Sequence, residues 1–213
     1  MLPNATLVET ALHEAAHSVA MLLLGSTITE IRINANGGGH CHGEPVRGLR
    51  MPAPYEPRAI GHCASDFIGV VATGKAFSYR TVTDEDFLKH GGRLDLENFY
   101  RRADLLGCDS NQTAALLHLA IEAAHGIIDE FAAAIDAVAD HLYVHRRFGH
   151  DQVVNVIRGT PCADRLLAAQ MPARAHRVVS PWVVTRRDGK LVENDERGVV
   201  RRIVIRPARL YGA

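Results

Sequence analysis

The sequence HEAAH at residues 13–17 places two histidines four residues apart. In an α-helix this spacing puts both side chains on one face, one turn apart, where they can share one metal ion. Glu14 lies beside them, and a carboxylate in that position can take a proton from a water that attacks a carbonyl group. The pattern therefore predicts a helix and metal-assisted hydrolysis, although a chain with 12 histidines also produces such a short pattern by chance.

The residues around HEAAH have a strong helical pattern. Apolar residues recur at intervals of three and four from Val8 to Leu22, and Gly25 is placed to end the helix. The sequence predicts a helix over 7–24, opened by a capping box from Thr6 and Glu9.

The rest of the chain divides near residue 160. Before it, helices are predicted at 58–79, 95–106, 111–126, 127–147 and 151–158, the last opened by Asp151. The β-branched segment ITEIRIN at 28–34 and the Gly37-Gly38-Gly39 turn predict a hairpin that returns to HCHG. After Pro161, WVVTRR, KLVEN and VVRRIVIR predict a C-terminal β-rich appendage. The expected fold is α+β and mainly helical, with domains at 1–160 and 161–213.

A catalytic zinc site needs a third protein ligand and an open fourth position. The extended motif HExxHxxGxxH is absent, because the sequence from the second histidine, His17, is HSVAMLLLG. Asp95 is the best candidate, since it follows a Gly-Gly pair at 91–92 that lets the backbone turn before a helix. Glu97 is the runner-up, and Asp66 and Asp104 are weaker alternatives. Residues two apart on a helix lie roughly 200° apart, so only one of Asp95 and Glu97 can face the metal.

Two other motifs suggest different sites. GVVATGKA at 69–76 fits the opening of a phosphate-binding loop, but Ala76 stands where Ser or Thr is needed and the segment has a helical pattern. His40, Cys41 and His42 crowd the glycine-rich turn, and strand alternation would put the two histidines on one face and the cysteine on the other. We expect a polar turn there rather than a second metal site.

Several of these segments, in this order, resemble the peptidase domain of the FtsH family of zinc metalloproteases. The segments are HEAAH, ITEIRINANGGGHCHG, the helix ending VVATGKA, GGRLDLENFYRRA, and the helical region IIDEFAAAIDAVADHLYVHRRFGHDQVVNVI. The likeness covers about residues 5–158, and the segment after 160 does not match. It implies a zincin-like fold with one zinc per chain.

The resemblance also implies roles for individual residues. His13, His17 and Asp95 would bind the zinc, with Glu14 as the general base. The strand near 28–34 would bind an extended peptide as an added strand, which involves Ile31 and Ile33 and the turn residues Gly38 and Gly39. The expected substrates are unfolded or flexible polypeptides with little sequence preference.

The chain departs from the FtsH pattern in three places. The family carries an AAA ATPase module and usually membrane helices before its HExxH motif, whereas HEAAH begins here at residue 13. We therefore expect no ATPase of its own and leave open a separate ATPase partner. Where the family has a GRAAEE-like stretch, Ser78 and Tyr79 replace its two carboxylates. Ala16 replaces a glycine, a change that favours the helix.

Composition and charge indicate a cytoplasmic protein. No apolar run approaches the roughly 18–20 residues of a membrane span, and the first 25 residues lack the Lys or Arg of a secretory signal. The four cysteines are widely spaced, as expected for reduced thiols, and the Arg bias suggests a GC-rich bacterial source.

The formal net charge of zero conceals two parts of the chain with opposite net charge. Residues 1–164 carry 13 basic and 20 acidic side chains, a sum of −7, and residues 165–213 carry 11 and 4, a sum of +7. Aromatic residues are sparse in the basic part, so we do not expect a nucleic-acid surface. The basic segment could dock on the acidic part of the chain, or it could mediate self-association as a homo-oligomer.

The prediction is therefore a zinc metalloendopeptidase of the HExxH type. The alternative from another class is a non-catalytic binding or regulatory module in which zinc stabilises the helices, with the basic tail binding nucleic acid or a partner. A water in the fourth coordination position distinguishes the enzyme from a structural site with a fourth protein ligand such as His40 or Cys41.

Overall fold

A computed structural model describes residues 5–44, 56–76, 92–168, 183–187, 190–194 and 200–202. The helices are α1 (Ala5–Leu23), α2 (Pro57–Ala76), α3 (Arg93–Leu105), α4 (Ser110–His145), α5 (His150–Ile157) and α6 (Ala163–Ala168). The strands are β1 (Thr27–Ile33), β2 (Gly39–Glu44), β3 (Arg147–Phe148), β4 (Val183–Arg187), β5 (Lys190–Asn194) and β6 (Val200–Arg202). The prediction of a mainly helical fold with a small hairpin after the first helix is confirmed.

Helix α1 is buried along most of its length. It ends where Gly25 adopts a left-handed conformation with φ of 74°, and the backbone N–H groups of Gly25 and Ser26 donate to the last turn. This termination by glycine is the one that the sequence predicts. The predicted capping box is wrong, because the helix already includes Ala5 and Thr6 therefore lies inside it.

The hairpin packs against α1 as part of a three-stranded antiparallel sheet with the order β2-β1-β3. Strands β1 and β2 pair from Thr27 opposite Glu44 to Ile33 opposite Gly39, and Gly37 in the turn has a φ of 87° that favours glycine. Strand β3, which the sequence did not predict, pairs with the other side of β1. The strand that we expect to bind an extended peptide, β1, is therefore the central strand of the described sheet, and β2 is at its edge.

Helices α1, α2 and α4 form most of the core. Small side chains such as Ala15, Ala16 and Ala64 are fully buried where these helices meet, so their backbones can approach closely. Helix α2 is buried nearly all round, as its apolar composition predicts. Helix α3 rests on it through Phe99, whose ring centroid lies 4.8 Å from that of Phe67.

Helix α4 replaces two predicted helices, 111–126 and 127–147. Asp109 caps it, with reciprocal hydrogen bonds to Gln112, and a single break at Phe131 (φ −113°, ψ 18°) divides it later than predicted. Its apolar face continues through Ala124 and Ile128, which are buried, so packing keeps the chain helical past the predicted division. Helix α5 begins one residue before Asp151, after Gly149, whose N–H donates to Gln152.

The described residues beyond 160 include α6, which buries Ala163 and Leu166 in the same core. Strands β4, β5 and β6 pair antiparallel, but most of the C-terminal segment lies outside the described residues, so the β-rich appendage and the two-domain division stay predictions. Ser78, Tyr79 and Gly91 also lie outside them. None of the described helices is both long and apolar enough to cross a membrane.

Candidate metal centre

Three predicted ligands come together between α1 and α3. The Nε2 atoms of His13 and His17 lie 3.0 Å apart, and Oδ2 of Asp95 lies 3.1 Å from the first and 3.5 Å from the second. Among the described residues, these three form the one group of histidine, cysteine and acidic side chains with metal-ligand spacing. The two histidines of HEAAH and the predicted third ligand, Asp95, therefore form one cluster.

The local structure explains why Asp95 and not Glu97 lies in this cluster. Asp95 is in the first turn of α3, which begins after the buried Gly92. Its side chain is 16% exposed. Glu97 lies on another side of the helix, where it accepts a hydrogen bond from Arg93 at 3.0 Å. The alternatives Asp66 and Asp104 are also outside the cluster, since Asp66 binds Arg102 and Asp104 is exposed.

The hydrogen bond of His17 fixes which of its ring nitrogens can bind a metal. Nδ1 lies 2.9 Å from the backbone carbonyl oxygen of Ser65. Because that oxygen can only accept, Nδ1 carries a proton and donates it, which leaves a lone pair on Nε2 in the neutral ring. In the neutral ring, Nε2 is therefore the atom that faces His13 and Asp95 as a possible metal ligand.

The three converging atoms are all potential metal ligands. Oδ2 of Asp95 is buried and makes no hydrogen bond within the described part of the chain. Two imidazole nitrogens and a carboxylate oxygen are a donor set that zinc accepts in catalytic sites with three protein ligands. The chemistry of the donors thus fits a zinc ion.

Electrostatics also couple His17 to Asp95. Burial alone would lower the pKa of His17, but the Asp95 carboxylate and Glu14 raise it from the ordinary 6.5 to about 9. Burial alone would raise the pKa of Asp95, yet the two imidazoles hold that pKa well below its usual range. The cluster is therefore a strong site for positive charge, supplied by a proton on His17 or by a metal cation.

Glu14 lies next to the cluster but is not one of its three ligands. Its side chain packs under the start of β2, where a Cβ at Gly39 would lie 2.7 Å from Oε1 of Glu14 and 2.6 Å from Cγ2 of Thr10. Thr10 in turn donates a hydrogen bond of 2.7 Å to the carbonyl oxygen of Gly37. Burial raises the pKa of Glu14, and the neighbouring histidines partly offset that increase.

Helix α2 contributes features that the sequence analysis missed. A Cβ at Gly69 would lie 2.6 Å from Nε2 of His13, so the absence of a side chain lets the helix approach this ring. Ser65, one turn earlier, provides the carbonyl that orients His17. Asp66 is buried and accepts two hydrogen bonds from Arg102, at 2.8 and 3.0 Å. The sequence signals for these features were Gly69 and Asp66, a glycine and a single acidic residue within an apolar helix.

The phosphate-binding alternative is wrong, because Gly69 to Ala76 are part of α2 and form no loop. The polar turn predicted at HCHG is also wrong, since these residues form most of β2. His40 and His42 share a face there, with ring centroids 4.6 Å apart, and His40 lies 3.4 Å from Glu30. They lie outside the metal-ligand group.

The predicted substrate-binding residues fall into two pairs. Ile31 is fully buried and Ile33 is 2% exposed, so their side chains belong to the core. Gly38 and Gly39 are exposed, and Gly39 is the first residue of the edge strand, beside Glu14. An extended chain added to the sheet would thus pair with β2, and its recognition by these residues stays a prediction.

The sequence matches the family described as Peptidase M50B-like over residues 1–82. That segment contains HEAAH and the predicted hairpin with its glycine turn, and it ends before Asp95. The match supports a metallopeptidase-family domain and, with it, a hydrolase that acts on peptide bonds. No curated protein matches the chain.

Proposed function

We propose that the protein is a zinc-dependent endopeptidase that cleaves flexible or unfolded polypeptides. The observation that carries the proposal is the convergence of His13, His17 and Asp95 beside a buried Glu14. The match to a peptidase family over the segment that contains HEAAH supports the same reaction class. One zinc ion per chain would be held by the two Nε2 atoms and the Asp95 carboxylate.

Zinc bound there would lower the pKa of a water molecule and polarise the carbonyl group of the substrate. Glu14 would take the proton of the attacking water and deliver it to the leaving amine. Burial supports this role, because it raises the pKa of Glu14 and so makes the carboxylate a better base. Ser65 keeps the proton of His17 on Nδ1, away from the reacting groups.

The outer edge of β2 is the proposed substrate surface. Its backbone groups have no strand partner on that side within the described residues, whereas β1 is paired on both sides. A polypeptide added antiparallel or parallel to β2 would run past Gly39 and bring a backbone carbonyl near Glu14. Recognition through backbone hydrogen bonds requires an extended substrate and reads few of its side chains, which favours unfolded polypeptides.

The finer classification belongs to the same proposal. The likeness to the FtsH peptidase domain is supported by Asp95, which lies beyond the matched segment and joins the histidines as that likeness implies. A cytoplasmic location is proposed on the composition of the chain, and cooperation with a separate unfoldase on the likeness to a family that carries an AAA ATPase module. The basic segment after residue 165 is proposed as a docking or self-association element.

Cleavage of a flexible polypeptide tests the proposal. Purified protein is loaded with one equivalent of zinc and incubated with casein or a quenched fluorescent peptide library. We expect cleavage that a chelator abolishes and that added zinc restores. Stoichiometric zinc binding with no cleavage of any library member would instead favour the non-catalytic zinc module.

A further inference from the structure

One turn of α2, from Ser65 to Gly69, lies against the metal centre without supplying a ligand. Ser65 orients His17 through its carbonyl oxygen, and Gly69 leaves the space that the His13 ring occupies. Asp66, between them, has an 8% exposed side chain and binds the guanidinium of Arg102 through both carboxylate oxygens. The same turn thus contacts two ligands directly and reaches a residue on the helix that carries the third.

Arg102 and Asp95 are both on α3 and are seven residues apart. Seven residues are about two helical turns, so both side chains are on the side of α3 that faces α1 and α2. A bidentate pair of arginine and carboxylate is directional, because two parallel hydrogen bonds fix both distance and orientation. The pair therefore fixes the rotation of α3 and its position along its own axis.

The remaining contacts of α3 constrain it less. Phe99 and Ala103 are its two buried apolar residues, and the N-terminal Gly92 provides no side-chain cap. Leu94 and Leu105 are mainly exposed. Apolar packing tolerates small rotations and slides, whereas a carboxylate ligand has to lie within a few tenths of an ångström of its place.

We propose that Asp66 and Arg102 are a positioning pair that places the Asp95 carboxylate against His13 and His17 and thereby sets the affinity for zinc. The inference rests on the proposed zinc site. A buried ion pair adds little stability beyond that of a well-packed apolar pair, so geometry is the property that the pair controls here. Neither Asp66 nor Arg102 belongs to the ligand group. The pair acts on that group through the positions of α2 and α3.

Zinc affinity of the full chain, measured by competition with a chromophoric chelator, tests the pair. In Asp66→Leu/Arg102→Met the charges are removed together, so no buried charge is left unpaired. We expect a metal-free protein with an unchanged melting temperature and a zinc dissociation constant raised about 10–100-fold. Arg102→Lys keeps the charge but loses the bidentate geometry, and we expect a smaller increase.

Arg93→Gln is the matched control, because it removes the other ion pair of α3, between Arg93 and Glu97, which is exposed and internal to the helix. It should leave the zinc affinity unchanged. Wild-type affinity in the folded double variant would overturn the inference. If that variant does not fold, Arg102→Lys decides, and an unchanged dissociation constant there would also overturn it. A wild-type chain that binds no zinc would instead refute the proposed function.

Discussion

The Nε2 atoms of His13 and His17 lie 3.0 Å apart, and both face Oδ2 of Asp95. The proton that His17 donates to Ser65 cannot serve this contact, because it is on Nδ1. A proton on one of the two Nε2 atoms or a bound cation can balance the three ligand atoms. Most of the expected properties of the site follow from this competition between a proton and a metal.

Zinc binding should release a proton. The pKa of His17 in the metal-free cluster is about 9, so the ring is protonated at pH 7.5 and has to lose its proton on Nε2 to bind the metal. Isothermal titration calorimetry in buffers of different ionisation enthalpy should give about one proton released per zinc at pH 7.5. Binding without proton release would contradict the assigned charge of His17.

The metal-free protein should lose stability at alkaline pH. The pKa of His17 is raised above its ordinary value of 6.5, so its stabilising effect is fully present below pH 6.5 and is lost as the pH rises through about 9. Chemical denaturation between pH 6.5 and 9.5 should show this decrease. Asp95→Asn removes the charge that raises the pKa, and in that variant the decrease should be smaller; an equal decrease would assign it to another group.

Glu14→Gln should separate binding from catalysis. The amide has nearly the same shape but cannot accept the proton of the attacking water. We expect stoichiometric zinc in this variant and a loss of about 10²–10⁴-fold in kcat for peptide cleavage. Elemental analysis and a fluorescent peptide assay on the same preparation measure both. Wild-type kcat would reject Glu14 as the base.

Asp95→Ala should bind zinc much more weakly than Glu97→Ala. The first change removes a ligand, whereas Glu97 accepts from Arg93 outside the cluster. Elemental analysis after dialysis against a weak chelator should find zinc in Glu97→Ala and none in Asp95→Ala. The reverse result would show that Glu97 is the third ligand.

Gly69→Ala should impair zinc binding although alanine favours a helix over glycine by about 0.5–1 kcal/mol. The new Cβ would lie 2.6 Å from atoms of the His13 ring and would displace it. Gly61→Ala in the same helix is the control, since its nearest neighbour is the flexible end of Leu24 at 3.3 Å. We expect a weaker zinc affinity for the first variant alone, measured by chelator competition. Equal affinities would show that the His13 ring adapts at no cost.

Gly39→Ala should reduce catalysis and leave zinc bound. Its Cβ would lie 2.8 Å from Cγ of Glu14 and would displace that side chain. At the adjacent Gly38 a Cβ would meet nothing closer than 3.7 Å, so Gly38→Ala is the matched control. A lower kcat at full zinc occupancy is expected in Gly39→Ala alone. Loss of zinc in that variant would mean that the hairpin supports the ligands themselves.

The ligands were predictable because their signals are local or nearly so. The spacing of His13 and His17 fixes one helical face, and Asp95 stands after a glycine pair with a matching resemblance around it. The supporting residues were not predictable, because the contacts of Ser65 with His17 and of Asp66 with Arg102 join residues 48 and 36 positions apart. Such contacts depend on how α2 packs, which helical periodicity does not determine.

The errors in the fold have similar causes. Strand β3 has two residues, too few for a strand pattern, and its pairing with Ile31 and Arg32 depends on the left-handed turn at Arg146 after α4. Without β3, the sequence offered β1 as the strand to which a peptide could be added. The predicted division of α4 after residue 126 is wrong, because Ala124 and Ile128 are buried on either side of it and the break comes at Phe131.

Zinc content is the most direct test of the metal centre. Wild-type protein and His13→Ala, purified without chelators and dialysed together against a trace of zinc, are compared by elemental analysis. The account predicts about one zinc per wild-type chain and none in His13→Ala, with peptide cleavage confined to the wild type. A folded wild-type protein without zinc, or equal zinc in both proteins, would contradict it.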